Sequence, residues 1–169
     1  MIIAGGSSFL LMKKNRCKQN SRIQNSRFII YVDGSSRGNP GPAGIGIAVF
    51  KDRQTKEPFK KISRFIGYTT NNVAEYEAVI EALKWVINSN ALYSLIVLDS
   101  ELVFNQITGQ YRARAPHIQR LLDRLNRLKN RARTIKFKLV VRKKNRWANQ
   151  LAQKASKQGL KKAQPKEQT

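Results

Sequence analysis

The chain has 169 residues, 41% of them hydrophobic, which suits one domain with tails and excludes global disorder. Its 33 Lys and Arg against 10 Asp and Glu give a formal charge of +23 and a pI near 10.8. Such an excess is self-repulsive unless a polyanion neutralises it; nucleic acid comes first and an anionic membrane surface second. No apolar run approaches the roughly 18 residues of a membrane span, and the single cysteine, Cys17, excludes an internal disulfide and points to no disulfide-linked partner.

Residues 1–26 carry five basic residues and no acid. They read as a basic arm or a transit peptide. The apolar stretch Ser8–Met12 precedes the charges, the wrong order for a secretory signal. Arg27–Val32 is β-branched and aromatic, hence a strand, and the Gly- and Pro-rich run Asp33–Pro42 reads as a turn. Ala43–Lys51 alternates as a second strand whose glycines signal close backbone approach or a bulge. Asp52–Pro58 reads as a hairpin loop and Phe59–Tyr68 as a third strand, completing an antiparallel meander. Thr70-Asn71-Asn72 offers N-cap chemistry for a helix over Val73–Val86, with Trp85 on its core face. Ser94–Leu98 reads as a buried strand, Asp99–Ile107 as a helix ended by Gly109, and Ala115–Asn130 as an amphipathic helix. Ile118, Leu121, Leu122, Leu125 and Leu128 form its apolar face; Arg120, Arg124, Arg127 and Lys129 lie opposite. Thr134–Val141 is the fifth strand and Trp147–Lys157 the closing helix. The division is therefore 1–26, a domain over 27–157, and a polar basic tail over 158–169. A helix joining the third strand to the fourth implies a right-handed crossover in a mixed sheet, an α/β fold.

Three acids fall where this order brings chain segments together: Asp33 at the end of the first strand, Glu75 in the first turn of the first helix, and Asp99 after the fourth strand. Clustered carboxylates raise one another's pKa and call for a cation, and their hard oxygens select Mg²⁺ or Mn²⁺. Two such ions can activate water and stabilise a leaving oxygen in phosphodiester cleavage. Residues 102–157 add sixteen basic residues against one acid, Asp123, so the basic surface belongs to the folded domain as well as to the tails.

The segments YVDGSSRGNPGPAGIG, TTNNVAEYEAVIEAL, LDSELVFNQITGQYRARAPH and VVRKKNRWANQLAQKA resemble, in order, the motifs of type 1 ribonuclease H over residues 27–157. The resemblance implies a five-stranded mixed sheet, three strands antiparallel and the rest parallel, flanked by helices. It further implies cleavage of the RNA strand of RNA–DNA hybrids with two Mg²⁺ ions, and makes Asp33, Glu75 and Asp99 metal ligands. Asn39, Thr70 and Asn72 match positions that touch the hybrid; amide and hydroxyl groups suit a 2′-OH or a phosphate, although turn formation and helix capping would use the same residues. Arg112, Arg114, Arg142, Lys143, Lys144 and Arg146 are the basic candidates for nucleic-acid contact.

The last motif departs from the family. Where the family has a fourth acid, this chain has Asn149, with Arg142-Lys143-Lys144 ahead of it. Asn149 keeps a carbonyl oxygen but loses a charge. At an effective dielectric of about 20, one unit charge at roughly 8 Å is worth about 2 kcal/mol, so binding of a second metal is weakened. The family's loop histidine has no counterpart; His117 reads as a surface residue. Two functional expectations follow. One is a catalytically weakened, RNA-binding structural subunit of a large RNA assembly such as an organellar, mitochondrial ribosome, with ribosomal proteins as neighbours and with or without a bound metal. The other is an active, Mg²⁺-dependent ribonuclease H, organellar or cytoplasmic.

Overall fold

The computed structural model describes residues 27–51 and 55–163. The basic N-terminal arm, Cys17, the centre of the expected hairpin loop and the last six residues lie outside the described residues. The elements in chain order are strands β1 (Arg27–Ser36), β2 (Gly41–Phe50) and β3 (Lys60–Thr69), helix α1 (Asn71–Asn88), strand β4 (Tyr93–Leu98), helices α2 (Glu101–Ile107) and α3 (Pro116–Arg131), strand β5 (Thr134–Leu139), a 3-10 turn (Arg142–Lys144) and helix α4 (Arg146–Ala163).

The five strands form one sheet in the order β3-β2-β1-β4-β5. β1 pairs antiparallel with β2 and parallel with β4, β2 pairs antiparallel with β3, and β4 pairs parallel with β5. This is the mixed α/β sheet the sequence predicts. Two boundaries differ with consequence. β1 continues through Asp33 to Ser36 because Asp33–Ser36 pair with Ala43–Gly46 of β2, so the expected turn is confined to Arg37–Pro40. α4 runs six residues past Lys157, so part of the expected tail is helix. Among the described residues no helix is long and apolar enough to cross a membrane.

β2 is buried along its whole length, and its sequence explains how. Ile45, Ile47 and Val49 face α1 and join Phe28, Ile30, Val32, Ile80, Leu83 and Ile96 in the core. Full burial of each such side chain is worth about 1.5–3 kcal/mol. The alternate positions, Gly44, Gly46 and Ala48, face the other way and admit α4 at backbone contact. A Cβ on Gly46 would overlap the Ala148 carbonyl and the Ala152 amide; one on Gly44 would meet Ser156 N at 2.6 Å. The glycines of β2 therefore mark close approach, and a bulge falls between Ala43 and Gly44. Trp85 packs edge-on to Phe28, with centroids 5.1 Å apart, as a core residue.

On the α1 side the same device operates once. A Cβ on Gly34 would overlap the backbone of Ala74 and Glu75, so this glycine lets the second turn of α1 rest on β1. Gly34→Ala and Gly46→Ala should each cost about 1–3 kcal/mol, the usual penalty of overpacking. Urea unfolding of the two variants measures this; unchanged midpoints would contradict the packing described.

Candidate active site

The site lies at the carboxyl ends of the two central parallel strands, where open α/β sheets place ligands. The β1–β4 ladder ends at Tyr31↔Val97. Two residues further on in that register, Asp33 stands beside Asp99 as the strands part. Asp33 is not the last residue of its strand; it is paired with Gly46 and only 4% exposed. Asp99 lies in the two-residue link between β4 and α2, whose N-cap is Ser100, so α2 begins later than the sequence suggests. Glu75 is in the second turn of α1 rather than the first, because Asn71 already starts that helix. The contact at Gly34 holds Glu75 over the same strand end.

These acids act on one another. Burial, then repulsion from Asp99 and Glu75, pushes the Asp33 carboxyl up to about 8, against the Arg142 guanidinium and the Gly34 N–H, which pull it down. Burial also raises Glu75, with Asp99 adding to the rise; hydrogen bonds from Ser100 and Asn71 and the charge of Arg142 oppose it. The other acids of α1 have cationic partners: Glu77 pairs with Arg124 and Glu81 with Arg64, each at 2.9 Å.

Amides organise the cluster, and most were not singled out from sequence. Asn145 is fully buried at the start of α4; its Nδ2 donates to Asp99 Oδ1 at 2.6 Å and to the Val32 carbonyl at 2.8 Å. Asn71 Nδ2 donates to Glu75 Oε1 at 2.8 Å, while its Oδ1 accepts from the Ser36 N–H at 3.2 Å. The available signal for Asn145 was its place four residues before Asn149 at a helix start; for Asn71 it was the N-cap cluster itself.

Of the residues expected at the hybrid, Asn39 is exposed and its Oδ1 accepts from the Asn71 N–H at 3.1 Å. Thr70 caps α1, its Oγ1 accepting from the Val73 N–H at 3.3 Å. The Oδ1 atoms of Asn72 and Asn145 are buried without a hydrogen-bond partner among the described residues. Arg112 and Arg114 are exposed in the α2–α3 connection, as is His117 at the start of α3.

Asn149 meets Arg142. With its oxygen turned to the guanidinium, the carboxamide accepts from Arg142 Nη2 at 2.6 Å and Nε at 3.1 Å. Arg142, rather than Lys143 or Lys144, is the cation that acts on Asp33 and Glu75; those lysines and Arg146 are exposed. A cluster of three hard-oxygen carboxyls around the buried Asp33, only partly offset by Arg142 and the amides, has the donor chemistry of a divalent-cation site. Among the described residues, however, no three acids, histidines or cysteines are closed up into a ready coordination set: Asp99 is turned to Asn145 and Glu75 to Asn71. The three acids offer the donor chemistry of a divalent cation without converging on one point, and the fourth position adds a neutral oxygen already engaged by an arginine.

The sequence model of the family described as reverse transcriptase-like matches residues 31–155. A bifunctional protein of Mycobacterium tuberculosis is 36% identical over 130 residues, which are 76% of this chain and 35% of that protein. Ribonuclease HI of Halobacterium salinarum is 34% identical over 121 residues, 71% of this chain and 57% of that one. This chain thus spans about a third to somewhat over half of these curated relatives. Among solved structures, the N-terminal RNase H domain of the mycobacterial protein superposes with a TM-score of 0.77 at 32% identity, covering 83% of this chain and 100% of that one. LC11-RNase H1 in complex with an RNA/DNA hybrid superposes with a TM-score of 0.73 at 35% identity, covering 79% and 99%.

The raised Asp33 carboxyl fixes the sign of a pH effect. A carboxyl whose folded pKa lies above its unfolded value binds more protons in the folded state. Its stabilising contribution is complete below the unfolded value of 3.8 and is lost as pH rises through about 8. In chelator, the melting temperature of the chain should therefore fall across this window more steeply than that of Asp33→Asn. Thermal unfolding of both proteins at several pH values measures the difference; parallel profiles would contradict the assignment.

Proposed function

The chain belongs to the ribonuclease H family, and from that premise we propose that it binds RNA–DNA hybrids across the acid cluster and cleaves the RNA strand with an activity weakened at Asn149. The observation that carries this reading is the Arg142–Asn149 pair beside Asp33, Glu75 and Asp99. Three acids supply the ligands of a cation-dependent phosphodiesterase, while the fourth position offers no charge and is held by a guanidinium. The relative solved with an RNA/DNA hybrid supports the substrate class.

Mg²⁺ or Mn²⁺ held by Asp33, Glu75 and Asp99 would lower the pKa of a bound water and neutralise charge at the phosphate. The protein's part is positional. Asn145 fixes the Asp99 carboxylate, Asn71 and Ser100 orient Glu75, and the exposed Arg142 presents N–H donors at the outer edge, where they suit a phosphate oxygen. The exposed Arg112, Arg114, Lys143, Lys144 and Arg146 supply counter-charge to the nucleic-acid backbone, which sets register without reading sequence.

The charge of +23 favours a second reading, a structural place in a large RNA assembly such as an organellar ribosome. There the same arginines and lysines would neutralise RNA phosphates and cleavage would be dispensable.

Asn149→Asp should raise hybrid cleavage at saturating Mg²⁺ by roughly tenfold or more, since it adds charge where a cation must be held. Arg142 would pair with the new carboxylate, so combining Asn149→Asp with Arg142→Gln should lower the Mg²⁺ requirement further. Asp33→Asn and Asp99→Asn should abolish cleavage. A Mg²⁺ titration of hybrid cleavage reads all four. Cleavage by the unmodified chain at the rate of Asn149→Asp would refute the weakening, and no cleavage by any of them would favour the structural reading. Hybrid affinity should also fall steeply with salt, as about six or more neutralised phosphates require; a flat dependence would contradict binding through the basic surface.

A further inference from the structure

The acid cluster occupies only one end of the sheet face on which α4 packs. α4 packs on β1, β2 and β3. On the same face the β1–β4–β5 half is only partly covered, Ile29, Tyr31 and Leu95 being half-buried and Val97 buried, and its composition follows from register. Ile29 pairs with Leu95 and Leu95 with Lys136; Tyr31 pairs with Val97 and Val97 with Lys138. Directly paired residues point to one side of a sheet, so each row runs from an apolar or aromatic floor to a lysine at the β5 edge. The alternation of β5 sends Ile135 and Phe137 toward the core and leaves Lys136 and Lys138 exposed.

Two adjoining cavities lie over this floor, of about 420 and 520 Å³. The first is walled by Phe50, Val140 and Trp147 and rimmed by Lys56, Lys138 and Lys144. The second is rimmed by Arg27, Lys51 and Lys136, with Tyr93 at its edge. Among the described residues lining either cavity none is acidic. The rings already engage cations: Arg27 lies over Tyr93 at 5.8 Å and Lys61 over Trp147 at 4.3 Å. Tyr31 stands edge-on to Phe50 with centroids 5.5 Å apart.

An apolar, aromatic floor between two lysine rims has the complementarity of single-stranded nucleic acid, whose bases stack on rings while its phosphates meet ammonium groups. A duplex presents phosphates but hides its base faces, so it has no use for the floor. The basic N-terminal residues of the chain itself would meet like charge along both rims. Tyr31 and Val97 lie two residues before Asp33 and Asp99 on the same face, so the floor begins at the acid cluster and extends along β1 and β4 away from it.

We propose that this lysine-rimmed sheet face, floored by Ile29, Tyr31, Leu95 and Val97, is a binding groove for single-stranded RNA that runs away from the acid cluster and does not include it. The groove goes beyond the hybrid-cleavage reading and stands whether or not the chain cleaves. The test is binding by the full chain of a fluorescein-labelled uridine octamer and, separately, of a blunt RNA–DNA hybrid, before and after the paired change Lys136→Glu and Lys138→Glu. Both lysines are exposed, so the fold should tolerate the change. Octamer affinity should fall about tenfold or more, with hybrid affinity changed by less than about threefold, and 4-thiouridine in the octamer should crosslink to Tyr31 or Trp147. Equal losses for octamer and hybrid would reduce the lysines to a diffuse field and overturn the proposal, as would unchanged octamer affinity. Displacement of the octamer by an oligoglutamate as readily as by unlabelled RNA would show a site that reads charge alone. A need to remove residues 1–26 before the octamer binds would make the chain's own N-terminus the occupant. Either result would also overturn it.

Discussion

Three carboxylates stand within one another's field because the packing around them gives no room to part. β1 and β4 run parallel in a register that sets Asp33 beside Asp99 as their ladder ends. Gly34 lets α1 descend to backbone contact, which places Glu75 over the same point. Gly44 and Gly46 do the same for α4 on the far side, bringing Asn145 and Asn149 to the cluster. Close approach at three glycines thus converts core packing into an electrostatic cost. Burial of Asp33, only 4% exposed, makes that cost large. Such an arrangement is a poor way to stabilise a metal-free domain and a good way to hold a cation.

The chain meets part of that cost with its own groups. Asn145, Asn71 and Ser100 donate hydrogen bonds to Asp99 and Glu75. Arg142 adds the positive charge acting on Asp33 and Glu75, and the oxygen of Asn149 accepts from its guanidinium. An aspartate at position 149 would bring a fourth carboxyl to the cluster; asparagine at 149 with arginine at 142 moves the balance toward neutrality.

Much of this was legible in the sequence, for physical reasons. Alternation in the strands and 3.6-residue spacing in the helices report burial directly, so the order of elements and the mixed sheet followed. The acids stood out because their segments end strands or begin a helix. The boundaries that failed were those decided by pairing at a distance. Asp33–Ser36 looks like a turn, with its Gly and Ser residues, yet extends as strand because β2 supplies partners. The roles of Asn71 and Asn145 were hidden because an amide near a helix start is locally a cap, and only the tertiary fold shows which carboxylate its other donor reaches. Arg142 was grouped with Lys143 and Lys144 as cations ahead of the site because three consecutive basic residues carry no local signature of which one acts on Asp33 and Glu75.

We propose that Asp33, Glu75 and Asp99 hold one divalent cation and that position 149 lacks the charge for a second. Titration of the intact chain with Mn²⁺, followed by the loss of the free-ion electron paramagnetic resonance signal, counts bound ions directly. One ion per chain is expected, lost in Asp33→Asn, with no second ion of comparable affinity when a non-cleavable hybrid is added. Two ions of similar affinity would contradict it, as would no specific binding at all.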